Sequence, residues 1–347
     1  MKVLLYTESE KVVGKSGLGK AIKHQIKALE SVGVNYTLDK NDEYDILHIN
    51  TYFPKSYFIV KKAKRMGKKI VYHAHSTEED YKNGFIFSKL TSKLFKWWLI
   101  KCYSMGDVIV TPTPYSKKLL EGYKGLENKK IYAISNGIEL EFFKQDKSLR
   151  SKFRKRYNFK DDEKIVFGIG LYIKRKGIID FVEMAKKCPN YKFIWFGYSP
   201  LLFSGREVRK AVHTKLPNLI FAGYVEPSVI KEAMNGADLY VFPTLEETEG
   251  IPIIEACACK QNAIIRDIPI FDDWLVDGKN VHKAKDLDEF IKKINMFFDG
   301  KLKNVTSEAY EVAKKRDIKQ VGKELKKVYE SLDIWYNLIY LEVVWKK

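Results

Sequence analysis

Short apolar runs of four or five residues alternate along the chain with longer segments whose apolar positions recur at helical spacing, the pattern of parallel strands joined by covering helices. Strands are expected at Lys2 to Tyr6, Ile46 to Ile49, Lys69 to His73, Val108 to Thr111 and Ile131 to Ala133. A second set is expected at Ile165 to Ile169, Tyr191 to Phe196, Leu219 to Ala222, Leu239 to Phe242 and Asn262 to Ile265. That rhythm predicts an α/β fold of two doubly wound domains. Between the two sets, Leu140 to Asp162 is polar, rich in Lys and Arg and without a strand-like run, which places the interdomain connection there. The expected division is 1–150, 151–325 and a C-terminal helix over 326–347, within a stretch from Val305 that reads as one or two helices. No internal repeat is visible.

In open α/β sheets, ligands bind beyond the C-terminal ends of the strands, so the strand-end loops are where chemistry is sought. After the first strand come Gly14-Lys15-Ser16-Gly17-Leu18-Gly19 and an amphipathic run through Ile22, Ile26 and Leu29. Glycines at a helix entrance let a ligand approach the backbone and its N–H groups. The spacing meets neither GxGxxG nor a Walker loop, and a tight surface turn is an equal reading.

Tyr72-His73-Ala74-His75-Ser76-Thr77 closes the third expected strand ahead of Glu78-Glu79-Asp80. Histidines at i and i+2 of a strand end face one way, which raises a metal site, but no third ligand stands at a recognisable spacing. A single histidine hydrogen-bonding a polar substrate is the preferred reading, and His75 is nearer the loop. Gly170-Leu171-Tyr172-Ile173-Lys174-Arg175-Lys176-Gly177 follows a strand and precedes a helix that begins near Ile179. Its three adjacent cations are either a solvated surface or a clamp for a diphosphate, since Lys and Arg neutralise leaving-group charge without a metal.

The most informative stretch is Glu246-Glu247-Thr248-Glu249-Gly250-Ile251-Pro252-Ile253-Ile254-Glu255. Acidic residues followed by Gly and Pro mark a loop entering a helix, with Pro252 in the first turn where its missing N–H costs nothing. The amides near Gly250 and Ile251 can then face a phosphate. Glu247 stands in the loop and Glu255 about one turn inside the helix, both suited to accept hydrogen bonds from sugar or ribose hydroxyls. Asp286-Leu287-Asp288 has the DxD spacing of metal-dependent transferases, but it opens a late helix and reads as a cap.

Composition narrows the partners. The chain has 347 residues, 62 Lys plus Arg against 44 Asp plus Glu and a net charge of +18, which favours an anionic partner. The charge is uneven: residues 51–100 carry 11 basic and 3 acidic side chains, whereas residues 201–300 carry 12 and 16. A protein that wraps nucleic acid would spread its positive charge along both halves. Cys102, Cys188, Cys257 and Cys259 are too few and too irregular for a disulfide framework, and Cys257-Ala-Cys259 lacks CxxC spacing. Only Val3-Leu4-Leu5-Tyr6 is apolar at the start, too short for a signal peptide, and no run approaches a spanning helix. A cytoplasmic protein whose membrane contact is peripheral is expected. That contact is expected over residues 54–101, where Lys55, Lys61, Lys62, Lys64, Arg65, Lys68 and Lys69 precede a segment from Phe85 to Tyr103. This segment mixes Lys89, Lys93, Lys96 and Lys101 with Leu90, Leu94, Trp97 and Trp98, the composition of a helix lying in a headgroup layer.

The spacing from Glu247 to Glu255 resembles the E-x7-E signature of the family-4 retaining glycosyltransferases of GT-B fold. The resemblance extends to Gly17-Leu18-Gly19, His75, Asn136-Gly137-Ile138, Lys176-Gly177 and Ala237-Asp238, in order and over nearly the whole chain. More narrowly, Lys15 to Gln25, His73 to Asp80 and Glu246 to Gly250 look like bacterial enzymes that add a second hexose to glucosyl-diacylglycerol. The resemblance implies two Rossmann-like domains facing across a cleft, the first binding acceptor and membrane and the second a UDP-sugar.

By the same resemblance Lys176 meets the donor diphosphate, Glu255 the nucleotide ribose, Glu247 the donor-sugar hydroxyls, and His75 stands beside the sugar. Gly17, Leu18 and Gly19 would close over the diphosphate, with Gly170, Gly250 and Ile251 lining the donor site. Many relatives carry Arg where this chain has Leu171; Arg175 is a substitute for that charge. Glu249 stands where an apolar residue is usual. No carboxylate is placed as an obvious nucleophile, so same-face substitution with retention is expected, the departing diphosphate taking the acceptor proton. No cofactor and no metal are expected, UDP-hexose being the donor substrate. The expected acceptor is glucosyl-diacylglycerol at the cytoplasmic face of the cell membrane. A soluble or cell-wall glycan acceptor is the close alternative. A basic nucleic-acid-binding protein is the alternative from another class, but no nucleic-acid motif is present and no nucleic-acid partner is expected.

Overall fold

The computed structural model describes residues 1–9, 17–82 and 88–344. Gly14, Lys15 and Ser16 of the first glycine-rich segment, and Phe85 at the start of the basic aromatic segment, lie outside the described residues. Two compact units are present, one made of 1–77, 94–139 and 316–347 and the other of 78–93 and 140–315.

The first unit holds a parallel sheet of β1 (Lys2–Tyr6), β2 (Asn35–Thr37), β3 (Ile46–Ile49), β4 (Lys69–His73), β5 (Val108–Thr111) and β6 (Lys130–Ala133), in the order β2-β1-β3-β4-β5-β6. The central strands are short and mostly apolar, and β3 and β5 are buried at every position, because helices cover both faces and leave no solvated side to alternate toward. One face is covered by the helices Gly17–Ser31 and Ile318–Val344, which bring Ala28, Leu29, Val321, Leu325, Val328 and Tyr329 into the core with Val3, Leu5 and Val110. Gly322 lets them approach closely, since a β-carbon there would lie 2.2 Å from the Ala28 carbonyl oxygen.

The second unit holds β7 (Ile165–Ile169), β8 (Lys192–Phe196), β9 (Leu219–Gly223), β10 (Leu239–Phe242), β11 (Ala263–Arg266) and β12 (His282–Ala284), all parallel and ordered β12-β11-β10-β7-β8-β9. The chain winds outward one way through β8 and β9 and then the other way through β10 to β12. Strand order therefore reverses between β7 and β10, the point at which doubly wound sheets open a crevice for ligands.

Three differences from the sequence expectation have physical causes. The edge strands β2 and β12 have only three residues each and too little apolar patterning to announce themselves. The polar connection contains a helix, Leu149–Arg156, whose Arg154 is buried against Asp238 at 3.0 Å. Finally, the units meet at 139/140 where 150/151 was expected, and the last helix begins at Ile318 and packs on the first unit. Its attachment is sealed by Gly137, in the left-handed region at φ +81°, and by Ile138, whose N–H donates to the Arg316 carbonyl at 2.9 Å.

Candidate active site

In the second unit, β7 ends at Ile169 and the chain turns through Gly170 into a short 3-10 turn, Lys174–Lys176, before the helix Ile178–Lys187. Gly170 has a specific reason to lack a side chain: a β-carbon there would stand 2.9 Å from both the Lys176 Cβ and the Trp195 ring. The Trp195 indole N–H donates to the Gly170 carbonyl at 2.9 Å and fixes the floor on which the Lys176 stem rests. Gly177, in the left-handed region at φ +74°, then turns the chain while pressed against the Pro243 carbonyl of the loop after β10.

Those two loops are tied together by backbone and charge. Leu245 N–H donates to the Arg175 carbonyl at 2.7 Å, and Arg175 Nη1 donates to the Glu246 carbonyl at 2.8 Å. Lys176 Nζ pairs with Glu247 Oε1, which also accepts from Thr244 Oγ1 at 2.9 Å. Arg175 Nη1 lies 3.8 Å from Glu247 Oε2 and 2.7 Å from Asp80 Oδ1, Asp80 coming from the helix Glu78–Lys82. The result is an alternating group of two cations and two anions, all largely buried. Burial alone would push Glu247 up, but Lys176 and then Arg175 hold it below its ordinary value. Burial pulls Lys176 down against the opposing effect of Glu247, while Arg175 is raised because Asp80 and Glu247 outweigh its burial. Glu246, at the rim of the group, is pushed up to about 7 by burial and by the neighbouring Asp80.

The helix Ile251–Ala258 starts from Gly250, left-handed at φ +87°, with Pro252 in the first turn as its sequence implied. Glu255 is fully buried one turn in. Its charge helps to raise the Tyr240 hydroxyl, second to burial. Glu249 is also buried. Asp286 caps the helix Leu287–Phe298, accepting from Glu289 N–H at 2.9 Å, which is the capping role its sequence context indicated. Among the described residues no group of three or more His, Cys, Asp or Glu side chains is placed to share a metal ion.

Seven of the sequence-derived residues, Gly170, Arg175, Lys176, Glu247, Gly250, Ile251 and Glu255, thus belong to the second unit, and the two loops at the reversal point bring Arg175, Lys176 and Glu247 into one group. The first unit carries the other four. Gly17, Leu18 and Gly19 form the opening turn of the helix Gly17–Ser31, and His75 stands just past β4 with its ring stacked on His73 at 3.9 Å between centroids. Asp80 and Thr244 were not singled out for a role by sequence, because each gains its meaning from a partner far away in the chain. Two family-like motifs prove to be structural. Asp238 of the Ala237-Asp238 pair binds Arg150 at 2.9 Å and the Ile165 N–H at 2.8 Å, and the Asn136-Gly137-Ile138 turn receives the final helix.

Also in the first unit, the helix Pro54–Arg65 and residues 94–103 of the helix Ser88–Tyr103 present an uneven surface. Trp98 is held, its indole donating to the Tyr52 carbonyl at 2.6 Å, whereas Phe58 is 66%, Leu94 66% and Trp97 55% exposed beside Lys61 and Lys101. Among the described residues no helix is long and apolar enough to cross a membrane.

Two doubly wound sheets, with a buried Lys–Glu pair at the reversal point of the second, define a GT-B glycosyltransferase. The chain belongs to the group 1/family 4 glycosyltransferases: the model "Glycosyltransferase Family 4" matches residues 22–142 and "Glycosyl transferases group 1" matches residues 150–316. It is 38% identical to the processive diacylglycerol alpha-glucosyltransferase of Acholeplasma laidlawii, over 96% of this chain and 98% of that one. It is 26% identical to the alpha-galactosylglucosyldiacylglycerol synthase of Streptococcus pneumoniae, over 78% of this chain and 74% of that one. In fold it is similar to Anabaena Alr3699/HepE, solved with UDP and glucose, with a TM-score of 0.76 at 17% identity, covering 95% of this chain and all (100%) of that one.

Proposed function

We propose that this glycosyltransferase moves a hexose from a UDP-sugar to glucosyl-diacylglycerol, with retention, without a metal ion and at the surface of an anionic membrane. The observation that carries the donor half is the Lys176–Glu247 pair joining the loops after β7 and β10. In the structure each charge satisfies the other. A donor diphosphate is the better partner for Lys176, and taking it frees the Glu247 carboxylate to accept hydroxyls of the transferred sugar. Arg175 is held by Asp80 and by a backbone carbonyl, so its part is to fix the loop beside that exchange. Charge developing on the departing diphosphate then meets a preorganised cation in a largely dry setting, and the diphosphate takes the acceptor proton on the face it leaves.

The acceptor half is supported by the relatives, whose names specify diacylglycerol glucosyl transfer and galactosylglucosyldiacylglycerol synthesis. The membrane half is supported by exposed Phe58, Leu94 and Trp97 among lysines, a combination that inserts apolar rings while cations meet anionic headgroups. The test is direct. Purified enzyme is given UDP-glucose or UDP-galactose with glucosyl-diacylglycerol in phosphatidylglycerol vesicles, and the product is analysed for hexose and anomeric configuration. An α-linked dihexosyl lipid is expected. Transfer only to a water-soluble glycan, or a β-linked product, would overturn the proposal.

A further inference from the structure

Beneath the C-terminal ends of β3 and β4 the first unit buries His48, His73, Asn50, Gln25 and Tyr329 together, where an apolar filling would be less costly unless every polar group is used. Asn50 Nδ2 donates to Gln25 Oε1 at 2.9 Å, and Gln25 Nε2 donates to His48 Nε2 at 2.8 Å. Gln25 Nε2 also lies 3.2 Å from His48 Nδ1, which meets the Tyr329 hydroxyl at 2.7 Å, and His73 Nδ1 reaches His48 Nε2 at 3.1 Å. His73 Nε2 is buried without a hydrogen-bond partner, so the cluster is not fully satisfied, but the Asn50–Gln25 bond within it is unambiguous in direction.

The Asn50–Gln25 bond determines His75. With the Asn50 amide nitrogen engaged by Gln25, its Oδ1 faces His75 Nε2 at 3.0 Å. A carbonyl oxygen only accepts, so Nε2 carries the proton. Burial pushes His75 down to about 3, so the ring is neutral and its Nδ1 is bare. The stack on His73, at 10° between ring planes, fixes the orientation of that lone pair.

We propose that Asn50, held by Gln25, is a positioning residue that locks His75 in its Nε2–H tautomer, so that His75 Nδ1 accepts a hydrogen bond from a hydroxyl of the transferred hexose. The second clause rests on the reading that His75 stands beside the sugar; the lock does not.

The chain has 6 histidines, few enough for selective 15N-histidine labelling, and the His75 signals are identified by their loss in His75→Gln. Bare Nδ1 is expected in the wild type and in Asn50→Asp, whose carboxylate also only accepts. Asn50→Leu is expected to give a mixture of tautomers. An Nδ1–H tautomer in the wild type, or an unchanged His75 pattern in Asn50→Leu, overturns the lock. Should Asn50→Leu fail to fold, the wild-type and Asn50→Asp spectra still decide. In turnover, Asn50→Leu should lose roughly tenfold to hundredfold, as for a misplaced contact, and lose nothing further once His75→Ala is present. If the tautomer is as expected but His75→Ala keeps full turnover, the placement beside the sugar fails and the lock stands.

Discussion

Gly177→Ala tests whether the two loops of the donor site are held in one arrangement. Gly177 has φ +74°, and an alanine β-carbon there would lie 2.1 Å from the Pro243 carbonyl oxygen and 2.6 Å from its carbon. Both contacts are backbone, so neither is relieved by rotating a side chain. Left-handed backbone costs a residue with a β-carbon about 1–2 kcal/mol. Restoring normal contact requires the loops to part by roughly 1 Å, which strains the bonds from Leu245 N–H and Arg175 Nη1 at about 1 kcal/mol each. A loss of about 3 kcal/mol follows, or roughly 6 to 12 °C in the melting of a unit of this size. Turnover should fall further than stability implies, because Lys176 is the preceding residue and the parted loops carry it away from Glu247. Gly205→Ala is the control: its φ is −60° with nothing within 4 Å of a β-carbon, and it should shift stability by no more than about 0.5 kcal/mol. Thermal denaturation followed by tryptophan fluorescence, with and without UDP, provides the measurement. Equal melting and equal turnover for the two variants would refute the reasoning.

Hexosyl transfer should persist in EDTA while Lys176→Ala lowers it roughly 100-fold, and activity lost in chelator and restored by Mg2+ or Mn2+ would disprove the metal-free account. Glu255→Gln should weaken UDP binding by calorimetry, whereas Glu247→Gln should leave UDP affinity nearly intact and slow turnover; equal weakening by both would contradict that division. Replacing Lys61, Lys62, Lys64 and Arg65 by Gln should abolish salt-sensitive sedimentation with phosphatidylglycerol vesicles while UDP affinity is unchanged, and vesicle binding indifferent to lipid charge would put the interface elsewhere. Because Glu246 is raised from 4.5 to about 7, the native state holds an extra proton between those values, so its contribution to stability falls as pH rises through that window. Glu246→Gln should therefore stabilise the protein at pH 8 and change little at pH 4, and an identical shift in denaturation midpoint at both would exclude this role.

The sequence by itself determined the strands, because in a parallel sheet covered on both faces each central strand must be a short apolar run, as Val108–Thr111 and Leu239–Phe242 are. It also determined the local chemistry at strand ends, where Gly250 and Pro252 announce a helix entrance whatever surrounds them. Edge strands, the junction at 139/140 and the return of Ile318–Val344 to the first sheet were settled only in three dimensions, since each depends on contacts between distant segments. The same holds for function. Apart from the resemblance, Lys174, Arg175 and Lys176 are simply three adjacent cations in the sequence; folding gives one of them Glu207 at the surface, one Asp80 and one Glu247. The sequence separates His75 from His73 by its nearness to the loop and by resemblance, but its hydrogen bond to Asn50, itself held by Gln25, comes from other elements. Charge and hydrogen-bond partners act over a few ångströms of space regardless of chain separation, so roles that depend on a partner were decided by the tertiary structure.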